Sequence, residues 1–193
     1  MRRTCKRVVS GQWSAASVLF LFAALVSIAS VATAQNARIG KPATEAQIHA
    51  IDLTIFSDGT GLPVGKGTAA KGRDIFKDKC AVCHNDKGEG RENQYPALVG
   101  GIGTIATTKP VRTVGSYWPY ATTIFDYVRR AMPYDHPGSL QTDEIYSAVA
   151  FILNLNGIIG ENDEMNEKTL PKVKMPNAGN FVPDARPDVK SKR

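Results

Sequence analysis

CAVCHNDKGEG, residues 80–90, places two of the chain's three cysteines and one of its three histidines within five residues. Four chemistries begin from cysteines this close: a structural disulfide, a zinc site, a redox dithiol and a covalently held haem. The rest of the sequence decides among them.

Residues around this stretch divide the chain. Arg2, Arg3, Lys6 and Arg7 make a basic start, residues 18–26 (VLFLFAALV) are an unbroken apolar run, and Ala32-Thr33-Ala34 supplies small residues for a signal peptidase. This pattern predicts an export signal over 1–34, cleaved after Ala34. An uncleaved anchor is the other reading, since residues 15–32 carry no charge and approach the roughly 20 that span a bilayer. Removal of 1–34 takes four basic residues and no acidic one, so 24 basic against 18 acidic becomes 20 against 18. The basicity belongs mostly to the signal, and nucleic acid is not an expected partner. Cys5 leaves as well, so the exported chain keeps only Cys80 and Cys83. Its 159 residues (193 less 34) suit one compact domain with extensions, with no stable membrane insertion after cleavage.

Residues 35–65, with Asp58-Gly59-Thr60-Gly61-Leu62-Pro63, read as a turn-rich arm. From about Thr68 a helical pattern places Ile75, Phe76 and Cys80 where they can share a face. Residues 86–121 read as loop. A helix follows with Ile124, Val128 and Ala131 as its stripe and Thr122 or Thr123 as its cap. Pro133 ends it, because proline drives the residue before it out of helical backbone, so Met132 stands at a stiff helix exit. A last helix is predicted with Thr142 as cap, Asp143 and Glu144 at the positive end of its dipole, Ile145, Ala148, Val149 and Ile152 as its apolar face, and Gly157 as its stop. Residues 161–193, with four prolines and mixed charge, read as a surface tail.

A disulfide between Cys80 and Cys83 would close a tiny loop, remove little unfolded-state entropy and leave His84 unused. A thioredoxin-like dithiol wants a strand before the motif, and here a helix leads in. Structural zinc wants four ligands, whereas His49 and His136 stand singly. Covalent haem uses every fixed position: two thiols on one helical turn add across the two vinyl groups of a porphyrin, and His84 is carried under the iron. Export agrees, because attachment of this kind takes place outside the cytoplasm. Met132, Met165, Met175, His49 and His136 are candidates for the sixth ligand, and Met132 is favoured by its place at a proline-locked exit between two helices that must pack on one apolar disc. His136 would give bis-histidine ligation and a lower potential.

These residues resemble the class I c-type cytochromes over about residues 66–160: the helix of Gly72 and Phe76, CAVCH, the Tyr95-Pro96-Ala97-Leu98 loop, Met132-Pro133 and Ala150-Phe151. The resemblance implies an all-α class I cytochrome c fold, here with extended N- and C-terminal arms. It implies a crossing of first and last helices at Gly72, Phe76 and Phe151, and a Pro96 carbonyl that accepts from the ring N–H of His84. Arg112, Tyr117 and Trp118 are candidates for the haem propionates, with a solvated arginine and core aromatics as the plainer alternative.

Residues 39–68, 113–140 and 170–181 also resemble the SoxD family, the cytochrome subunits of the periplasmic Sox sulfane dehydrogenases. That likeness implies a molybdopterin-containing dehydrogenase subunit that oxidises sulfane sulfur on a carrier protein, and a downstream cytochrome that accepts the electrons. Some members carry two haems; the single CxxCH here implies one haem c. Related cytochromes serve sulfite dehydrogenases. The arm and tail, too poor in periodic apolar residues for a core of their own, are expected to wrap a neighbouring subunit or to serve as flexible linkers. Electron transfer without substrate chemistry is the expected function; a free-standing soluble carrier and a haem-based ligand sensor, with Met132 swinging away, are the rivals.

Overall fold

A computed structural model of the chain describes residues 40–182; the expected export signal and residues 183–193 lie outside this range. The chain divides into two compact units, residues 1–51 and 52–193. In the first, residues expected as turn-rich arm form a short helix, α1 (Glu45–Ile51), with no buried residue. Thr44 and Gln47 cap it reciprocally: Gln47 N–H donates to Thr44 Oγ1 (3.3 Å), and Thr44 N–H donates to Gln47 Oε1 (2.9 Å).

The second unit is helical around one core. α2 (Ala69–Lys79) starts at Thr68, whose side chain accepts from Lys71 N–H, and buries Ala69, Gly72 and Phe76 along one stripe. A one-turn helix, α3 (Ala81–His84), follows directly. Within the segment expected as loop, α4 (Val114–Tyr117) is closed by a capping box between Thr113 and Ser116. α5 (Ala121–Ala131) buries Ala121, Thr122, Ile124, Phe125 and Val128. α6 (Thr142–Leu155) is buried on every side from Ile145 to Leu153, because α2 and α5 both pack on it. Among the described residues, no helix is long and apolar enough to cross a membrane.

α2 and α6 cross where Gly72 lies against the Ser147 carbonyl. A Cβ at Gly72 would overlap that carbonyl and stand 2.8 Å from the Phe151 Cβ. Phe76 and Phe151 meet beside it, ring centroids 5.2 Å apart and tilted by 57°. The contact expected among Gly72, Phe76 and Phe151 is therefore present.

Two predicted caps are corrected. α5 begins after Tyr120 without a side-chain cap. Thr122 lies inside that helix, its hydroxyl donating to the Ser57 carbonyl at 3.4 Å. α6 is capped by Gln141 rather than Thr142, in a box with Glu144, because Glu144 reaches back to accept from Gln141 N–H at 2.8 Å. Asp143 turns away to accept from Lys66 N–H (2.8 Å). Gly157, at φ 67°, follows α6 as expected.

The larger departure concerns the flanks. β1 (Lys66–Gly67) pairs antiparallel with β2 (Met165–Asn166), tying the start of the domain to the segment expected as a surface tail. That segment buries Met165, Leu170 and Met175, and Leu170 is fully covered. Burying one such side chain stabilises by roughly 1.5–3 kcal/mol, enough to hold an aperiodic segment in place. Leu170 opens a 3₁₀ turn (Leu170–Lys172) that packs on α5, and Pro171 lies against Gly59, which adopts φ 95°. Asn177 donates to the Tyr117 carbonyl (2.8 Å), and Arg73 pairs with Glu161. Residues 165–178 thus pack on this chain's own core, where a surface tail was expected.

Tyr146 fastens the other flank. Its hydroxyl donates to the Pro63 carbonyl at 2.9 Å, and its ring lies 4.5 Å from that of Phe125. Burial, with Glu167 and Asp143 nearby, raises its pKa well above the ordinary phenol value, so it stays a neutral donor. Tyr146→Phe is expected to lower stability by about 0.5–1.5 kcal/mol, the net worth of one hydrogen bond, and to speed proteolysis within residues 52–65. Chemical unfolding and limited digestion measure both; unchanged values would show that the bond holds nothing.

Candidate functional site

Cys80 is the joint between α2 and α3, ending one helix with its N–H on the Phe76 carbonyl and preceding the next. Its carbonyl accepts from Cys83 N–H (3.1 Å) and His84 N–H (2.9 Å). One turn thereby carries both thiols and the imidazole. Cys80 and Cys83 are both free thiols, each partly buried. Burial, and then the neighbouring Cys83, pushes the Cys80 thiol up to about 11. At neutral pH this sulfur is uncharged.

His84 Nδ1 stands 2.9 Å from the Pro96 carbonyl oxygen. A carbonyl can only accept, so Nδ1 donates, and the lone pair of the neutral ring falls on Nε2. The ring is thereby fixed in tautomer and orientation with its other nitrogen available to a metal.

Met132 ends α5 in extended backbone (φ −122°, ψ 147°), its N–H on the Val128 carbonyl, and its side chain is half-buried against the core. Met165 and Met175 are core residues, 5% and 4% exposed. His136 is exposed, with Nδ1 3.2 Å from Asp135 Oδ2, and His49 lies on exposed α1. Among the described residues, no group of three or more His, Cys, Asp or Glu side chains is placed to hold a metal ion, which tells against the zinc reading. The Arg112 guanidinium lies over the Tyr117 ring, 5.7 Å from its centroid, and Trp118 meets Tyr127 edge to face at 5.8 Å.

The family whose model matches this chain is cytochrome c, over residues 69–156. The chain is also similar to one in the crystal structure of the sulfane dehydrogenase SoxCD from Paracoccus pantotrophus: 39% identity over 78% of this chain and 74% of that one, with a TM-score of 0.71. The chain belongs to the class I c-type cytochromes. No curated protein gives a significant match.

Membership of this family makes the chain an electron-transfer cytochrome and implies haem c. The residues of this cytochrome fit that group. A thioether is a neutral sulfur, and the partly buried place of Cys80, on one helical turn with Cys83 and His84, suits one. His84 has Nδ1 engaged by the Pro96 carbonyl, which leaves Nε2 as the nitrogen to meet a haem iron. Three residues of this cytochrome escaped the sequence reading. Asn85, at φ 58°, turns the chain out of α3 and donates to the Gly90 carbonyl (2.6 Å). Asn156 donates to the Leu98 carbonyl (3.1 Å) and so holds the loop after Pro96 to the end of α6. Gly90 packs on the peptides around Pro96. Asn-to-glycine spacing hints at tight turns, but nothing in one sequence says which carbonyl a turn will meet.

Proposed function

We propose that this chain is a periplasmic monohaem cytochrome c that serves as the cytochrome subunit of a molybdenum-containing sulfane dehydrogenase, passing electrons to a downstream cytochrome acceptor. The similarity to a chain of SoxCD, 39% over most of both chains, carries the reading. In it, residues 1–34 are the export signal, 66–160 bind the haem, and 35–65 and 161–193 flank that domain.

Cys80 and Cys83 would anchor one haem c through thioethers, and His84 Nε2 and the Met132 sulfur would hold its iron. Haem iron supplies one reversible electron. Pro96 accepts a hydrogen bond from His84 Nδ1–H and so would make the imidazole a stronger donor, Met132 on its stiff corner would supply the second ligand, and Arg112 and Trp118 are the candidates to border the propionates. With His84 and Met132 both holding the iron, the cytochrome would move electrons and leave sulfur chemistry to its partner.

Co-expression with a molybdenum-containing partner subunit tests the assignment. The two are expected to co-elute on sizing, and a sulfane-sulfur substrate is expected to reduce the cytochrome only when the partner is present. A red cytochrome that elutes alone and stays oxidised would make it a free carrier instead.

A further inference from the structure

We propose that Gly90 and Asn85 are positioning residues for the proximal ligand: together they set how closely the Pro96 carbonyl approaches His84, and through it how electron-rich the imidazole is. The proposal rests on the haem reading above and goes beyond it, because neither residue touches the iron or the ring.

The geometry is a closed circuit. Gly90 N–H donates to the His84 carbonyl (2.9 Å), Asn85 Nδ2–H donates to the Gly90 carbonyl (2.6 Å), and Pro96 returns to the His84 ring. Gly90 lies between the ligand's own backbone and the loop that bears Pro96. At φ 70°, a Cβ there would stand 2.5 Å from the Tyr95 oxygen, 2.6 Å from the Ala97 nitrogen and 2.7 Å from the Pro96 carbonyl carbon. All three are backbone atoms that no rotamer change can clear, so any side chain must push the Pro96 peptide away. Beyond Pro96, Leu98 N–H is held by the Gly88 carbonyl (2.8 Å), which leaves the carbonyl little freedom to swing back. A metal-bound histidine whose ring N–H is hydrogen-bonded is more basic and favours the oxidised metal. Loosening the clamp therefore raises the potential.

Gly90→Ala and Asn85→Gly test this in the full-length, haem-loaded protein. Glycine at 85 accepts φ 58° and removes only the amide, so the second variant keeps the fold if the first does not. Gly90→Ala is expected to shift the reduction equilibrium about tenfold toward the reduced form, ~59 mV for one electron, and Asn85→Gly by less in the same direction. The NMR signal of the His84 Nδ1 proton is expected to shift and exchange faster in both. A merely structural role would lower the melting temperature and move neither readout. Folded variants with unchanged potential and Nδ1 proton signal overturn the proposal. The wild-type spectrum separates the two levels: without a covalent, His84-ligated haem the underlying reading fails, whereas a ligated wild type with inert variants removes only the clamp.

Discussion

Met132→Ala protein is expected to lose the red-region methionine–iron absorption band completely and to be reduced at a lower potential, while its haem still survives a wash in acidified acetone. Alanine offers no sulfur, and no other methionine of the described residues is placed to replace it: Met165 and Met175 are both buried core residues. Thioether ligation raises haem potentials, and axial ligands as a class move them over about 0.8 V. The drop should therefore exceed anything produced by the clamp variants. The variant is also expected to bind imidazole or cyanide, and the wild type is expected to resist both. The backbone consequence is small, because Met132 is only half-buried and its helix is ended by Pro133 regardless. A wild type without the band, or a variant that keeps it, removes Met132 from the axial position. Covalent attachment through Cys80 and Cys83 would stand in either case.

Gly72→Val is expected to be the most damaging single change to the fold. The position is buried against α6, and the obstacle is the Ser147 carbonyl, a backbone atom in the middle of a buried helix. Overpacked cores lose roughly 1–3 kcal/mol when side chains can yield. Here the helices themselves must separate, so the loss should reach or pass the top of that range and loosen the stacking of Phe76 on Phe151 as well. Guanidinium unfolding of the haem-loaded protein measures it. A loss below about 1 kcal/mol, the scale of an ordinary substitution, would mean that the crossing is not the tight contact described.

What could be read before folding is what repeats or what stands in a fixed motif. Cys80, Cys83 and His84 stand within five residues, Phe76 and Val149 follow the helical period, and Gly72 was marked by the family resemblance. Met132 is marked by the proline after it. Helix starts were less legible: Thr142 and Gln141 are adjacent polar residues, and the choice between them is made by Glu144 reaching back in three dimensions. The tail was misjudged for a physical reason. Met165, Leu170 and Met175 lie in a two-residue ladder, a 3₁₀ turn and irregular chain, so their burial has no period to detect. Hydrogen bonds that span the chain, such as Tyr146 to Pro63 and Asn156 to Leu98, are likewise invisible without the fold.

The seating of Leu170 on α5 bears on how the molecule is made. Export with the N-terminus leading would deliver α2, the cysteine turn, α5 and α6 first, yet the part of α5 that packs on Leu170 stays uncovered until that stretch arrives. Until then the helices hold a greasy, unfinished surface, and the last stitch is supplied from beyond the part of the chain that the family pattern spans.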